Sequence, residues 1–253
     1  MNSCVFKYMR VGIIGDTGRM GVLIRTLLST QPSYTVGPGF SRSSPHQLSF
    51  VIENSDVLVD FSSSELTEEL LDNLLIKAKP CIFGTTHPSP SVIENKLSTL
   101  AQYVPIVVCP NTSLGAYMQK RLSAALAKIL DNSYDMRITE IHHRGKKEPI
   151  SGTAWDLATT LCQVKHEVWQ QEYCIGKQGN QENIIELHAS RVGNIPGEHE
   201  VAFVSSQEQI TIRHTVFSRD VFAQGVLRIL DWLRIESPCP GYYGIDSGLR
   251  DLI

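Results

Sequence analysis

The N-terminal region lacks a long apolar segment. Its one hydrophobic run, Val11 to Ile14, is interrupted by Gly12 and is too short for a signal sequence or a membrane span. The six cysteines (Cys4, Cys81, Cys109, Cys162, Cys174 and Cys239) include no C-x-x-C pair and no zinc-like spacing. Several sit in apolar runs, which is the pattern of buried free thiols in a reducing cytoplasm. There is no H-E-x-x-H and no carboxylate-rich cluster, and His142 and His143 are adjacent, a poor geometry for two ligands on one ion, so no metal is expected. A basic excess is missing too. Lys and Arg total 23 against 26 Asp and Glu, a net charge of −3, which argues against a nucleic-acid or membrane-surface partner. No repeats or low-complexity tracts appear. What remains is a 253-residue chain, 42% hydrophobic, with material for one large domain or two modest ones.

The first half alternates. Arg10 to Gly15 reads as a strand, Asp16-Thr17-Gly18-Arg19-Met20-Gly21 as a glycine-rich turn, and Val22 to Leu28 as a helix. Strand, glycine turn and helix open a dinucleotide-binding βαβ unit, in which backbone amides approach a pyrophosphate. The spacing here is Gly15-x-x-Gly18-x-x-Gly21, with Thr17 in place of the second glycine of the usual motif. A tight turn without a ligand is the competing reading. A second strand, Tyr34 to Phe40, ends at Ser41-Arg42, with no adjacent acid to hold a ribose 2′-hydroxyl. Arg42, with Arg19 as a second cation, leans toward the 2′-phosphate of NADPH over NADH, unless Arg42 is a solvated loop residue. Strands are expected at 56–61, 81–83 and 104–108, with helices at 65–76 and 91–102 between them. That makes a mostly parallel, doubly wound, Rossmann-like sheet. Its polar strand ends are Asp60, Gly84 to Thr86 and Asn111 to Ser113, where such sheets bind ligands.

After a helix at 114–130 the order changes. Strands are expected at 134–142, 184–190, 199–205 and 209–217, and a helix at 154–164. Consecutive strands imply a smaller α+β domain with a mixed or antiparallel sheet. The domain division is then 1–113 with 220–253, and 114–219, the last helix at 220–234 returning to the first domain. The Gly- and Pro-rich tail after Cys239 is expected to cover a surface or meet a partner subunit.

The stretch Glu140-Ile141-His142-His143-Arg144-Gly145-Lys146, followed by Ser151-Gly152-Thr153-Ala154, pairs two imidazoles and a lysine with a helix N-terminus. Free amides and the helix dipole favour an anion there. A histidine near neutrality gives a proton, and Lys146 either holds a carboxylate or donates a proton itself. With a nicotinamide, this suits reduction of a C=N or C=C bond in a small dicarboxylate, the proton coming from His142. A solvated basic loop is the bland alternative. His188, His199 and His214 read as hydrogen-bonded or interfacial rather than catalytic.

The chain resembles the 4-hydroxy-tetrahydrodipicolinate reductase (dihydrodipicolinate reductase) family nearly end to end. The resemblance rests on Gly18-Arg19-Met20-Gly21, Gly84-Thr85-Thr86 and Asn111-x-Ser113-x-Gly115. It rests further on Glu140-x-His142-His143-Arg144-x-Lys146 with Ser151-Gly152-Thr153-Ala154, on Gly197-Glu198-His199, and on Ser218-Arg219-x-x-Phe222-Ala223-x-Gly225. It implies reduction by NADPH or NADH within diaminopimelate and lysine synthesis, in the cytoplasm, by a homotetramer built through the second domain's sheet. His142 is then the proton donor, assisted by Lys146. His143, Lys146, Ser151, Gly152 and Thr153 bind the substrate carboxylates. Gly15, Asp16, Thr17, Gly18, Arg19, Met20, Arg42, Gly84, Thr85, Thr86, Cys109, Pro110, Asn111 and Thr112 fall where the family holds its nicotinamide cofactor. The chain departs from the family pattern in three places. Glu148-Pro149-Ile150 stands where the family has Asp-Ala-Pro, so the rigid point of the loop has moved one residue earlier. Ser41 replaces an acidic residue often found before the Arg42 position, and the segment from Arg42 to Asp56 is short. A related imine or amino-acid dehydrogenase and a non-catalytic NADP-binding sensor are the alternatives; a sensor needs neither His142 nor Lys146.

Overall fold

A computed structural model describes residues 8–85, 90–165, 173–175 and 184–249. The chain forms two compact units, one of residues 1–113 with 220–253 and one of 114–219.

In the first unit the elements run β1 (Met9–Ile14), α1 (Arg19–Ser29), β2 (Tyr34–Phe40), α2 (Leu48–Glu53), β3 (Val57–Asp60), α3 (Ser64–Ile76), β4 (Cys81–Phe83), α4 (Pro90–Leu100) and β5 (Pro105–Val108). With the late strand β11 (Gly241–Tyr243) at one edge, the order within the sheet is β11-β5-β4-β3-β1-β2, and every pair in it is parallel. A strand with both faces covered needs apolar residues at successive positions. Val57 and Val59 of β3 pack with Val11, Ile13 and Ile24, and Leu58 between them packs on the other face with Leu70, Leu74 and Leu97. The chain leaves β1 toward β2 on one side and from β2 crosses to β3 on the other. The carboxyl ends of β1 and β3 therefore flank the topological switch point, where sheets of this type open a crevice. Ser63 caps α3 by accepting from Leu66 N–H at 3.5 Å.

The second unit contains α5 (Leu114–Ile129), β6 (Asp135–His142), α6 (Gly152–Val164), β7 (Tyr173–Ile175), β8 (Ile185–Arg191), β9 (Gly197–Val204) and β10 (Gln209–Val216). Its sheet runs β10-β9-β6-β8-β7. It is mixed: β6–β8 and β7–β8 are parallel, β6–β9 and β9–β10 antiparallel. One face is apolar, with Met136 and Ile138 of β6, Ile185 and Leu187 of β8, and Val201 and Phe203 of β9 packing on Ala154, Leu157, Ala158 and Leu161 of α6. The alternation in β6 continues past Ile138, so its period of two also buries Glu140 and His142 on that face.

The chain then returns to the first unit as α7 (Asp220–Glu236) and β11 (Gly241–Tyr243), followed by a 3₁₀ turn at Ile245–Leu249. Residues 241–243 pair with β5 at the edge of the chain's own sheet. Among the described residues Cys81 and Cys109 are buried free thiols, while Cys239 is exposed. No helix among them is long and apolar enough to cross a membrane.

Candidate active site

The glycine turn closes β1. Gly15 adopts φ +83°, open to glycine at little cost, and a Cβ there would stand 2.7 Å from Phe61 O at the end of β3. The turn is fastened by Gly15 N–H to Phe40 O at 2.7 Å and Gly18 N–H to Gly15 O at 3.0 Å. No side chain caps α1 at Gly18, so its first turn faces outward with backbone amides, a cradle that fits a pyrophosphate. Thr17, Gly18 and Arg19 are exposed, Asp16 and Met20 are half-buried, and Met20 packs on the core. Asp16, in the turn, lies beside the end of β2. A Cβ at Gly39 would stand 2.2 Å from Asp16 Oδ2, and that oxygen is ion-paired to Arg25 at 3.1 Å. The side chain of Arg42 is 81% exposed and only loosely paired, with Glu65 at 3.9 Å.

The other strand-end residues divide by accessibility. Thr85 is buried and accepts from Ser62 N–H at 3.1 Å. Gly84 N–H bonds Asp60 O at 2.8 Å. Thr86 lies outside the described residues. Cys109 and Thr112 are buried. The Cys109 thiol donates to Asn111 O, and the Thr112 hydroxyl donates to Phe222 O of α7 at 2.8 Å. Asn111 Oδ1 accepts from Ser113 N–H, shaping the turn, and Pro110 is the exposed member of this loop. The side chains of Cys109 and Thr112 therefore hold the loop, while Pro110 and Asn111 are its accessible residues.

In the second unit, strand register assembles what the sequence separates. Glu140 pairs with His199 across β6–β9, and His142 with Arg191 across β6–β8. Glu140, 1% exposed, sits at the hub of this cluster. Its two oxygens each lie 3.1 Å from Ser151 N at the start of α6, and Oε1 also accepts from Arg191 Nη2 at 3.1 Å. His142 Nδ1 lies 3.6 Å from Oε2, and His199 Nε2 lies 3.5 Å from the same oxygen. The two imidazoles meet edge to face at 5.1 Å. His199 Nε2 also bonds Ser151 Oγ at 3.0 Å, and Ser151 Oγ caps α6 by accepting from Ala154 N–H at 3.1 Å. The anion favoured at this helix N-terminus is thus partly internal: a buried carboxylate already stands there. Ser151's own amide and hydroxyl are engaged within the protein.

The charges follow from these contacts. Burial alone would raise the Glu140 carboxyl, but hydrogen bonds from His199 and Ser151 and the nearby imidazoles outweigh it and hold it at about 2. Burial lowers His142 to about 4. His199, Lys146 and Arg191 push the same way, and Glu140 opposes them. The resting site is therefore an ionised Glu140 beside a neutral His142. Glu140, His142 and His199 are close enough to hold a cation between them. A guanidinium at 3.1 Å and the Ser151 amide already take up the Glu140 oxygens, so the set suits a proton network better than a metal.

The loop between β6 and α6 carries the remaining residues. His143 lies just past the strand, and Lys146 N–H turns back to His143 O at 3.1 Å. Lys146 Nζ is 3.4 Å from Glu148. Arg191 Nη2 lies 2.6 Å from Glu148 O and 2.8 Å from Pro149 O. This clamp, with the burial of Ile150, sets where Ser151 begins the helix although the proline stands one residue early. His188 bonds Glu186, and His199 bonds as expected, yet His199 also belongs to the site cluster.

Two family models divide the chain between them. The model described as dihydrodipicolinate reductase, N-terminus, matches residues 9–112, and its C-terminal counterpart matches residues 115–249. The chain belongs to the dihydrodipicolinate reductase family. The 4-hydroxy-tetrahydrodipicolinate reductase of Chlamydia caviae is 63% identical over 243 residues, covering 96% of this chain and 99% of that one. The enzyme of the same name from Nitratiruptor sp. is 35% identical, covering 95% and 99%. A solved dipicolinate-bound dihydrodipicolinate reductase from Paenisporosarcina sp. TG-14 superposes with a TM-score of 0.74 at 19% identity, covering 97% of this chain and 100% of that one, and so shares the reductase fold.

Proposed function

We propose that this reductase-family member converts 4-hydroxy-tetrahydrodipicolinate to tetrahydrodipicolinate in diaminopimelate and lysine synthesis, in the cytoplasm. The observation that carries the reading is the buried His142 at the end of β6, set beside Glu140, with Lys146 and the N-terminus of α6 contributed by the loop that follows. The nicotinamide cofactor, when bound, supplies the hydride. Gly15, Asp16, Thr17, Gly18, Arg19 and Met20 would hold its pyrophosphate side, and Gly84, Thr85, Thr86, Pro110 and Asn111 the remainder, with Cys109 and Thr112 fixing the loop from beneath. Asp16 is neutralised by Arg25 while Arg42 and Arg19 are exposed, which supports NADPH over NADH.

Lys146 and His143 take one carboxylate of the substrate. The backbone at Gly152 and Thr153 takes the other, since the Ser151 amide already serves Glu140. His142 gives the proton. A neutral imidazole cannot do so, but two carboxylates placed beside it favour its charged form, so the donor is armed by the substrate. A homotetramer through the sheet of the second unit completes the reading. β10 is an edge strand, and Phe217 at its end is 91% exposed.

The test is a coupled assay in which pyruvate and aspartate semialdehyde are condensed in situ and nicotinamide absorbance is followed with NADPH and NADH in parallel. Oxidation dependent on both precursors, faster with NADPH, is expected. His142→Gln is expected to lower turnover by about 10²–10⁴ with cofactor affinity retained. Full turnover in that variant would remove His142 from the role.

A further inference from the structure

We propose that Glu140 is a positioning residue for the reduction: its buried carboxylate keeps a proton on Nδ1 of His142, so that Nε2 is the atom that gives up the proton, and the same carboxylate ties the N-terminus of α6 to the donor through the Ser151 amide. The inference rests on the reductase reading and deepens it.

The two ring nitrogens of His142 have different surroundings. Nδ1 is buried without a hydrogen bond and faces Glu140 Oε2 at 3.6 Å, a separation that closes when the imidazole becomes charged. Nε2 points toward Gly197, where even a Cβ would lie 3.2 Å away. A carboxylate facing one nitrogen fixes the tautomer and leaves the other for chemistry. The titratable and charged groups around His142 come from four places. Glu140 shares its strand, Arg191 stands on β8, His199 on β9, and Lys146 in the following loop; His214 on β10 lies beyond His199. Of these, Glu140 alone favours the charged imidazole. Its oxygens also carry Ser151 N–H, so one group sets both the proton donor and the turn that meets the substrate carboxylate.

The step balances. The 4-hydroxyl leaves as water, and hydride and proton then add across one double bond of the resulting dihydro ring, which gains the two electrons that the nicotinamide loses. The Nε2–H bond of His142 breaks as the new C–H bond forms, and the imidazole becomes neutral with its proton on Nδ1.

Two measurements test this. In wild-type protein labelled with ¹⁵N-histidine, loaded with NADP⁺ and the unreactive dicarboxylate dipicolinate, His142 is assigned by its loss in His142→Gln. Above its titration midpoint it is expected as the Nδ1–H tautomer; an Nε2–H tautomer overturns the proposal. In Glu140→Gln, which keeps an acceptor oxygen for Ser151 N–H, the midpoint at which kcat declines with rising pH is expected to fall by about 1–3 units, so that turnover recovers on acidification. A uniform loss of kcat at every pH, with the midpoint unmoved, also overturns it and assigns Glu140 a purely structural role. Should Glu140→Gln fail to fold, the tautomer decides alone. Because the tautomer is read without turnover, it is separate from failure of the reductase reading, which full activity in His142→Gln would signal.

Discussion

At the scale of single residues, the buried pair of Glu140 and His142 makes stability and binding depend on pH. Both groups are held below their ordinary values, so between the folded and ordinary values the unfolded chain binds more protons than the folded one. The contribution of His142 is complete above about 6.5 and is lost as pH falls through about 4; that of Glu140 is complete above 4.5 and lost toward about 2. Urea midpoints are expected to fall between pH 7 and pH 5, and His142→Gln to flatten that decline; an equal decline in the variant would place the cause elsewhere. On the proposed reading, the same depression means that a dicarboxylate bound beside His142 at neutral pH draws a proton onto it. Calorimetry of dipicolinate binding in buffers of different ionisation enthalpy is expected to show net proton uptake in wild type and none in His142→Gln.

The cluster was only partly legible in the sequence. His142, Lys146 and Ser151 lie within one short stretch, so their chemistry announces itself together. Arg191 and His199 arrive from about 50 residues away through strand register, which no local pattern encodes. Glu140 stood in plain view, but its part depends on the Ser151 amide lying above it.

At the scale of elements, β3 and β4 were readable as short apolar runs because buried parallel strands are apolar on both faces. α2, with six residues, and β7 and β11, with three each, are too short to display a period. The parallel pairing of β6 with β8 is a long-range choice, invisible in either strand alone. Element packing also makes a prediction at Gly225. A Cβ there would lie 1.7 Å from Thr112 O, so α7 can lie on the 109–112 loop only without a side chain at this position. Gly225→Ala is expected to cost roughly 1–3 kcal/mol and to weaken NADP⁺ binding along with stability, because the displaced loop carries Pro110 and Asn111. Urea denaturation and nucleotide titration measure the two; unchanged nucleotide affinity would detach that loop from the cofactor.

At the scale of the whole chain, each unit has its own core, so damage to one is expected to be read locally. Leu157 is 1% exposed in the second unit's core. Leu157→Ala is expected to destabilise by about 2–5 kcal/mol. Hydrogen exchange should accelerate in β6, β8 and β9 and remain unchanged in β1, β3 and β4. Equal acceleration in both sheets would instead show a single cooperative folding unit. If the first unit holds the nicotinamide cofactor as proposed, adding it at about 100 times its Kd should protect that unit by about 2.7 kcal/mol.

Arg191 grips the carbonyls of residues 148 and 149, and a carbonyl is the same on every amino acid. The loop ahead of α6 is thus fastened by a part of the chain that mutation does not alter. Arg191 therefore holds the backbone ahead of Ser151 whatever side chains stand at positions 147 and 149, while Glu148 keeps its own tie to Lys146 at 3.4 Å. For an engineer, positions 147 and 149 are the ones whose lettering can be rewritten, provided Arg191 is left alone.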